Sequence, residues 1–344
     1  MKKIICIALS AVFVFSSCNG NQRVFQIGES IVSRIPDVEK TLTASETFTG
    51  PCFEGSYSVY TISDSVLVLN IREDNHIFRA FNTRNNSYVD FMGKGRGPKE
   101  FVTGSISGVR TINNTILIDI VGINEQVLYS IDFNSTIKEG KTVIRERLDL
   151  LPETMSTYII GDDLLSEVYN DDDIISLKLY NKNNRIVSRM EQPFGGDEYL
   201  AVCQPLLGSV KRVKPDGALF SMAMIYFNEV NIFDIKGNNH MSVSITKHTN
   251  DLSIVNDYLK NGHTDQIYYW GGDVSDDAIY ALYYNCDIGL IEDTLPVIHV
   301  FSWDGQLKAI YHLNESLRSI TVSKDGRSLY GVSWDEVIYK YDLE

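Results

Sequence analysis

Ile338-Tyr339-Lys340-Tyr341-Asp342-Leu343-Glu344 carries the pattern on which the fold turns. Apolar residues alternate up to an aromatic, and an acidic residue follows. Alternation with a period of two buries one face of a β-strand. The aromatic fills space between packed sheets. Asn or Asp then starts a hairpin by hydrogen-bonding nearby backbone or tolerating positive φ. Upstream, the same ending recurs at Trp303-Asp304, Phe233-Asp234, Tyr180-Asn181, Phe133-Asn134 and Phe81-Asn82, at spacings of 38, 70, 53, 47 and 52 residues. Further turns follow or precede these marks at Asn183-Asn184, Lys236-Gly237-Asn238, Asp304-Gly305, Asp216-Gly217 and Asp325-Gly326. Between the marks, 66–70, 116–121, 219–226 and 278–284 are apolar or alternating runs of strand length. Some are apolar on both faces, as in strands held between neighbouring sheets.

A four-stranded antiparallel unit repeated about every 50 residues is the unit of a β-propeller. Six marks predict an all-β, six-bladed β-propeller; two β-sandwiches with chance similarity are the competing architecture. The last mark stands two residues before Glu344, so the final blade lacks room for an outer strand. The unassigned β-like stretch at 31–48 is expected to supply it. N- and C-terminal strands would then pair in one sheet and leave no open edge. The 70-residue spacing is explained by a helical insertion at 250–262. Asn250 or Asp251 would cap it, Leu252, Val255, Tyr258 and Leu259 would share a face, and Gly262 would stop it. A long connection at 285–296 holds Asp287, Glu292 and Asp293. Both insertions are expected to decorate one end of the ring, where binding loops lie.

The composition agrees with a large β domain. Of 344 residues, 44% are hydrophobic and 22% charged, with 19 Tyr, 15 Phe and 8 Pro, which excludes wholesale disorder. The net charge of -14 argues against a nucleic-acid partner, because phosphate binding needs clustered Lys and Arg.

The N-terminus reads as an address. Lys2 and Lys3 precede a short apolar run at 4–15, too short for a transmembrane helix. Ser16-Ser17-Cys18 after that run resembles the lipobox of bacterial lipoproteins, with Phe15 departing from the usual Leu. The resemblance implies cleavage before Cys18, acylation of Cys18 and a membrane anchor; an ordinary signal peptide is the alternative. The expected organisation is a signal peptide over 1–17, a flexible tether over 18–27 and a propeller over 28–344. The tether lacks an acidic run, which favours an outer-membrane lipoprotein on the periplasmic side over surface display. Cys52, Cys203 and Cys286 remain, an odd number at wide spacing that gives no disulfide framework, although one bridge could form.

Phe91-Met92-Gly93-Lys94-Gly95-Arg96-Gly97-Pro98-Lys99-Glu100-Phe101 follows the first blade. A G-x-G-x-GP-x-EF segment in this place resembles that of bacterial TolB-like six-bladed propeller lipoproteins. The resemblance spans nearly the whole mature chain and implies a propeller with a cell-envelope binding role, without an established reaction or catalytic residues. Read directly, Gly93, Gly95 and Gly97 allow a tight path between blades, and Pro98 holds Gly97 extended. Glu100 can accept backbone donors from that turn, and Phe101 completes the motif. The same glycines lack the GK[ST] ending of a phosphate loop.

No stronger chemical motif competes. Asp171-Asp172-Asp173, Asp162-Asp163 and the set Asp273, Asp276 and Asp277 are carboxylate runs without calcium-loop spacing, more often solvated turns. His76, His240, His248, His263, His299 and His312 form no HExxH, and His299 lies inside a strand pattern, where a packed histidine is ordinary. No GxSxG elbow occurs. Trp303-Asp304 and Trp334-Asp335 do not recur in the other blades. Asp64-Ser65-Val66 and Asp293-Thr294-Leu295 resemble a bacterial O-glycosylation motif. The chain therefore reads as a non-enzymatic envelope propeller binding a protein, peptide or glycan, with no cofactor and no catalytic residue assigned. The alternative is a metal-dependent propeller hydrolase or lactonase, for which Asp119 is the carboxylate placed to face a channel. A purely structural part of an envelope assembly is a third possibility.

Overall fold

Three short strands open the folded chain, and none belongs to a blade of its own: β1 (Glu29–Val32), β2 (Val38–Leu42) and β3 (Glu46–Phe48). The computed structural model describes residues 29–72, 75–97, 100–169, 175–190, 204–235, 240–246 and 252–343. Blade 1 follows with β4 (Ser56–Ser63), β5 (Val66–Ile71), β6 (His76–Asn82) and β7 (Tyr88–Gly93). Blade 2 holds β8 (Ser105–Ile112), β9 (Thr115–Gly122), β10 (Val127–Asp132) and β11 (Ile144–Asp149). Blade 3 holds β12 (Thr154–Ile160), β13 (Asp163–Tyr169), β14 (Ile175–Asn181) and β15 (Ile186–Met190). Blade 4 holds β16 (Ser209–Val213), β17 (Leu219–Met224), β18 (Val230–Asp234) and β19 (His240–Ser244). Blade 5 holds β20 (Gln266–Val274), β21 (Ala278–Asp287), β22 (Val297–Ser302) and β23 (Leu307–Leu313). Blade 6 has three strands in sequence, β24 (Leu317–Val322), β25 (Ser328–Ser333) and β26 (Ile338–Asp342).

The fourth strand of blade 6 is β3, antiparallel to β26, with Phe48 opposite Ile338 and Glu46 opposite Lys340. The N-terminal stretch thus closes the ring, but it does more than the single strand expected of 31–48. Its β1 adds parallel to β19 on blade 4, and its β2 adds parallel to β23 on blade 5. Edge addition is made by backbone hydrogen bonds and asks for little side-chain burial. The mostly exposed pattern of β2 accordingly gave weak sequence signals.

Every mark lies where a blade's third strand ends. Asn82, Asn181, Asp234 and Asp342 end β6, β14, β18 and β26, and Trp303 directly follows β22. The exception is Phe133-Asn134. There the chain enters a helix, α1 (Phe133–Glu139), instead of a hairpin, because the Asp132 carboxylate caps it by accepting from Ser135 N–H at 2.8 Å. Each mark's aromatic enters a different apolar cluster, and each cluster lies between two neighbouring blades. Phe81 packs between blades 6 and 1, Phe133 between 1 and 2, Tyr180 between 2 and 3. Phe233 packs between 3 and 4, Trp303 between 4 and 5, Tyr341 between 5 and 6. Burial of one such side chain contributes about 1.5–3 kcal/mol. The repeat seen in the sequence is therefore a ring of six wedges.

The inner strands run parallel around the axis. Thr61 N–H donates to Thr321 Oγ1 at 2.9 Å, Thr321 O–H donates to Asp273 Oδ2 at 2.8 Å, and Arg212 pairs with Asp273 at 3.6 Å. Inner strands β16, β20, β24 and β4 of blades 4, 5, 6 and 1 are tied in this way. All six begin at one end, here called the mouth. Short corners after the marks lie at the other, the hairpin end. The insertion expected at 250–262 is a helix, α2 (Leu252–Asn261), stopped at Gly262, whose N–H donates to Tyr258 O. Val255 is buried and Tyr258 half-buried, whereas Leu259 is 44% exposed and does not join their face. Both α2 and the 288–296 connection emerge at the mouth, since Gln266 pairs with Asp287 there. The N-terminal strands enter from the hairpin end. Leu307 N–H donates to Ser33 Oγ at 3.0 Å and Lys308 pairs with Asp37 at 3.3 Å, both at the β22–β23 corner.

Candidate binding cleft

The motif segment shapes one wall of a cleft. After β7 the chain makes a closed loop: Phe101 N–H donates to Gly93 O at 2.9 Å and Gly95 N–H to Phe101 O at 3.1 Å. Glu100 folds inward and its Oε2 accepts from Gly97 N–H at 2.8 Å. Gly95 has φ 155°, and a Cβ there would stand 1.9 Å from Glu100 Oε2, so only glycine fits. Phe101 is 4% exposed and meets the Tyr129 ring edge-on at 5.1 Å, which carries the chain into the core of blade 2. Pro98 lies outside the described residues, and Gly93 serves as an ordinary end of β7. The next segment is pinned by Val102 N–H, which donates to Glu125 Oε1 at 2.8 Å. Each acid of this region accepts from a backbone N–H, and Glu125 Oε2 stays buried without a partner among the described residues.

Between this loop, the β5–β6 connection and the β9–β10 connection lies a cleft of about 420 Å³ at the mouth of blades 1 and 2. Tyr57, Arg72 and Lys94 contribute to its lining. Lys94 is held in place, its ammonium donating to Arg72 O at 2.7 Å and Ile71 O at 3.4 Å. The Arg72 guanidinium lies 4.8 Å from the Tyr57 ring centroid, and Arg318 from blade 6 lies 5.5 Å from the same ring and 5.2 Å from Trp334. Cation–π contact of this kind contributes about 0.5–2 kcal/mol. Arg79, Arg110, Arg145, Arg147 and Arg212 meet a carboxylate, whereas Arg72 and Arg318, like the surface arginines Arg34, Arg84 and Arg185, form no ion pair among the described residues. Burial, and after it the positive charge of Arg72, pulls the Arg318 pKa down. In a chain of net charge -14, Arg72 and Arg318 thus share one tyrosine ring, with the Lys94 ammonium held beside Arg72 by backbone carbonyls.

The floor of the cleft is Asn70, only 3% exposed. Its Nδ2 donates to Gly104 O at 3.2 Å, while its Oδ1 has no partner among the described residues. A buried acceptor left so costs about 1–3 kcal/mol. The arrangement can bind an anion and offer an acceptor to a donor beside it.

The other candidates from the sequence are engaged in structure. Asp119 does not face the channel. It lies on the second strand of blade 2, 1% exposed, where Arg110 grips it with two bonds of 2.5 and 2.8 Å and Ser130 O–H adds a third at 2.7 Å. Asp273 ties blades 4, 5 and 6 as described, and Asp276 and Asp277 are exposed. Asp163 opens β13 beside Asn181, Asp162 is exposed, and Asp171, Asp172 and Asp173 lie outside the described residues. Among the described residues no three His, Cys, Asp or Glu side chains gather to hold a metal. His299 is 1% exposed, its ring tilted at 4.3 Å from that of Tyr283, with Tyr269 Oη 3.1 Å from its Nδ1; burial pushes its pKa down to about 3. Cys52 and Cys286 are free thiols whose pKa values burial raises, and Cys203 and Cys18 lie outside the described residues. Ser65 sits in the β4–β5 turn, and Thr294 O–H donates to Leu290 O at 2.7 Å. Trp303 Nε1 donates to Ser275 O at 3.2 Å, and Trp334 lies at the mouth. Tyr57, Arg72 and Arg318 carried no signal in the sequence, since only ring closure brings blade 6 against blade 1.

No family model matches the chain, and no curated protein matches it. Solved structures do align. The β-propeller domain of Cps50 (Swd1) from Myceliophteria thermophila has a TM-score of 0.49 at 9% identity, covering 88% of this chain and all of that one. A chain of a mitotic checkpoint complex has a TM-score of 0.45 at 9% identity, covering 94% of this chain and 99% of that one. At such identity and such scores the assignment rests on the six sheets themselves: the chain is a six-bladed β-propeller, closed by its own N-terminal strand and carrying a cleft lined in part by Arg72 and Lys94 at its mouth.

Proposed function

We propose that the protein is a lipid-anchored cell-envelope propeller of the TolB-like kind, acting as a non-enzymatic binding module for a protein, peptide or glycan that it engages at the mouth. The observation that carries this reading is the asymmetry of the ring. Helix α2, the 288–296 connection and the Arg72–Tyr57–Arg318 stack share the mouth, while the N-terminal strands enter from the hairpin end. An anchor at Cys18 stands eleven residues before Glu29, a span of at most ~40 Å fully extended. Held in that way, on the periplasmic side of the outer membrane, the propeller would turn its mouth away from the lipid. No helix among the described residues is long and apolar enough to cross a membrane.

Capture from envelope extracts tests the binding role. Wild-type protein should retain a specific partner, and a variant with 250–262 replaced by a short linker should retain less of it. Recovery of no specific partner by either protein would sink the reading. For the anchor, Cys18→Ser should move the protein from the membrane to the soluble fraction and abolish labelling by a fatty-acid probe. Unchanged fractionation would remove the lipid from the proposal.

A further inference from the structure

Ile35 is the most exposed large apolar side chain among the described residues, at 86%. Single apolar side chains on a surface are ordinary, but this one is held out by its surroundings. It stands at the centre of the 33–37 bridge, which carries the chain from the edge of blade 4 to the edge of blade 5. One end of the bridge is fixed at Ser33, whose N–H donates to Ser244 O at 2.9 Å and whose Oγ accepts from Leu307 N–H at 3.0 Å. The other end is fixed at Asp37, paired with Lys308 at 3.3 Å. Between these pins, Pro36 restricts Ile35 to an extended backbone. Val32 and Val38 flank the bridge at 41% and 45% exposure, and Arg34 beside Ile35 is exposed as well. An apolar tip next to a long cationic side chain fits the boundary between water and lipid, where the tip enters the acyl region and the guanidinium stays with the phosphates.

Two observations choose lipid over protein as the cover. The bridge lies at the hairpin end, beside the β22–β23 corner, and Ile35 is seventeen residues from Cys18. The apolar tip is also small. Three side chains fall far short of the roughly 20–30 residues a side of a stable protein interface. They suffice for lipid, because an anchor on the same chain makes the second contact intramolecular. We propose that Ile35, with Val32 and Val38 beside it, dips into the bilayer that holds the Cys18 anchor, and so sets the ring with its hairpin end on the lipid and its mouth outward. This inference rests on the lipid-anchor reading and adds a second, non-covalent contact to it.

The test uses the acylated full chain, purified from membranes and placed on vesicles of phosphatidylethanolamine and phosphatidylglycerol, with or without bromine on the acyl chains. Tryptophan replaces Ile35 in one variant and Leu290, 57% exposed at the mouth, in another. Wild-type protein, with its three Trp, gives the background. Above that background, Ile35→Trp should emit at shorter wavelength on vesicles and lose about half of its emission to the brominated chains, as a ring at the headgroup–acyl boundary does. Leu290→Trp should keep its emission. Adding Cys18→Ser to Ile35→Trp should leave the protein in solution and its emission unquenched. The inference is overturned if Ile35→Trp protein sediments with the vesicles yet is not quenched, and the anchor then stands alone. It is also overturned if both tryptophans are quenched alike, or if Ile35→Trp shifts without quenching, which would place a protein contact there instead. If the wild-type chain carries no acyl group, the anchor reading and this inference fall together.

Discussion

The two ends of the ring obey different rules. At the hairpin end the corners are mostly short and the marks have structural uses: Asn82 accepts from Arg84 N–H, Asn181 from Asn183 N–H, and the aromatics before them pack between blades. At the mouth the connections are long, two arginines lack acids, and Asn70 holds an unpaired oxygen. Long connections and cations without acids at one end mark that end as the one free to serve something other than stability. Substitutions should therefore cost most at the seam of the ring, less within the blades, and least at the mouth.

The seam should give the largest effect. Removing 29–48 takes β3 from blade 6 and exposes β26, along with the outer edges of blades 4 and 5. Loss of a cooperative thermal transition and aggregation through the open edge are expected. Phe48→Ala isolates the apolar part of the same clasp, since Phe48 is buried against Phe53 and Phe81 in one cluster, its ring 5.6 Å from that of Phe81. It should cost about 3–5 kcal/mol in urea unfolding. A truncated protein that melts cooperatively near the wild-type temperature would mean that the ring closes without its clasp.

Within the blades, Asp119→Ala should cost about 3–5 kcal/mol, because it strands Arg110 and Ser130 in a buried site. Asp119→Asn, which keeps the shape and loses the charge, separates packing from pairing. Blade 5 predicts a pH effect. His299 is neutral when folded, with a pKa near 3, and near 6.5 when unfolded. Between those values the unfolded chain binds the extra proton, so stability falls as the pH drops from 7 toward 3, by on the order of 3 kcal/mol at pH 4. His299→Gln should flatten that slope in urea titrations at successive pH values. A slope that persists in the variant would assign the acid sensitivity elsewhere.

The hairpin end is the part that could be read in the sequence, and the reason is physical. A mark such as Tyr180-Asn181 combines burial with a turn, and both are local. The three-strand last blade was legible for the same reason, because Tyr341-Asp342 holds the third-strand position. The subdivision of 31–48 was not, because β1 and β2 are bound through backbone at sheet edges and their side chains bear little pattern. The alternation at Asn134 also misled, since Asp132, two residues earlier, converts that corner into a helix. At the cleft, Gly95 and Glu100 stood out, yet they build the wall. Tyr57, Arg72 and Arg318 do the charged work from three separate positions.

The smallest effect belongs to Arg318, and its sign decides between structure and function at the mouth. Were Arg318 a structural cation, its removal would cost what Asp119→Ala costs. The geometry argues otherwise. Contacts with Tyr57 and Trp334 are worth about 0.5–1 kcal/mol each at a partly exposed site, and they are offset by burial and by repulsion from Arg72, which depress its pKa more than Tyr57, Glu336 and Glu292 raise it. Arg318→Leu should therefore move the unfolding midpoint by no more than about 0.5 kcal/mol in either direction. Salt sharpens the comparison, since raising ionic strength to about 0.5 M screens the Arg72–Arg318 repulsion. Wild-type protein should gain stability from that change, and Arg318→Leu should lose the gain. A loss of more than about 2 kcal/mol on substitution would make Arg318 a strut between blades 6 and 1, and the mouth would then follow the same rules as the rest of the ring.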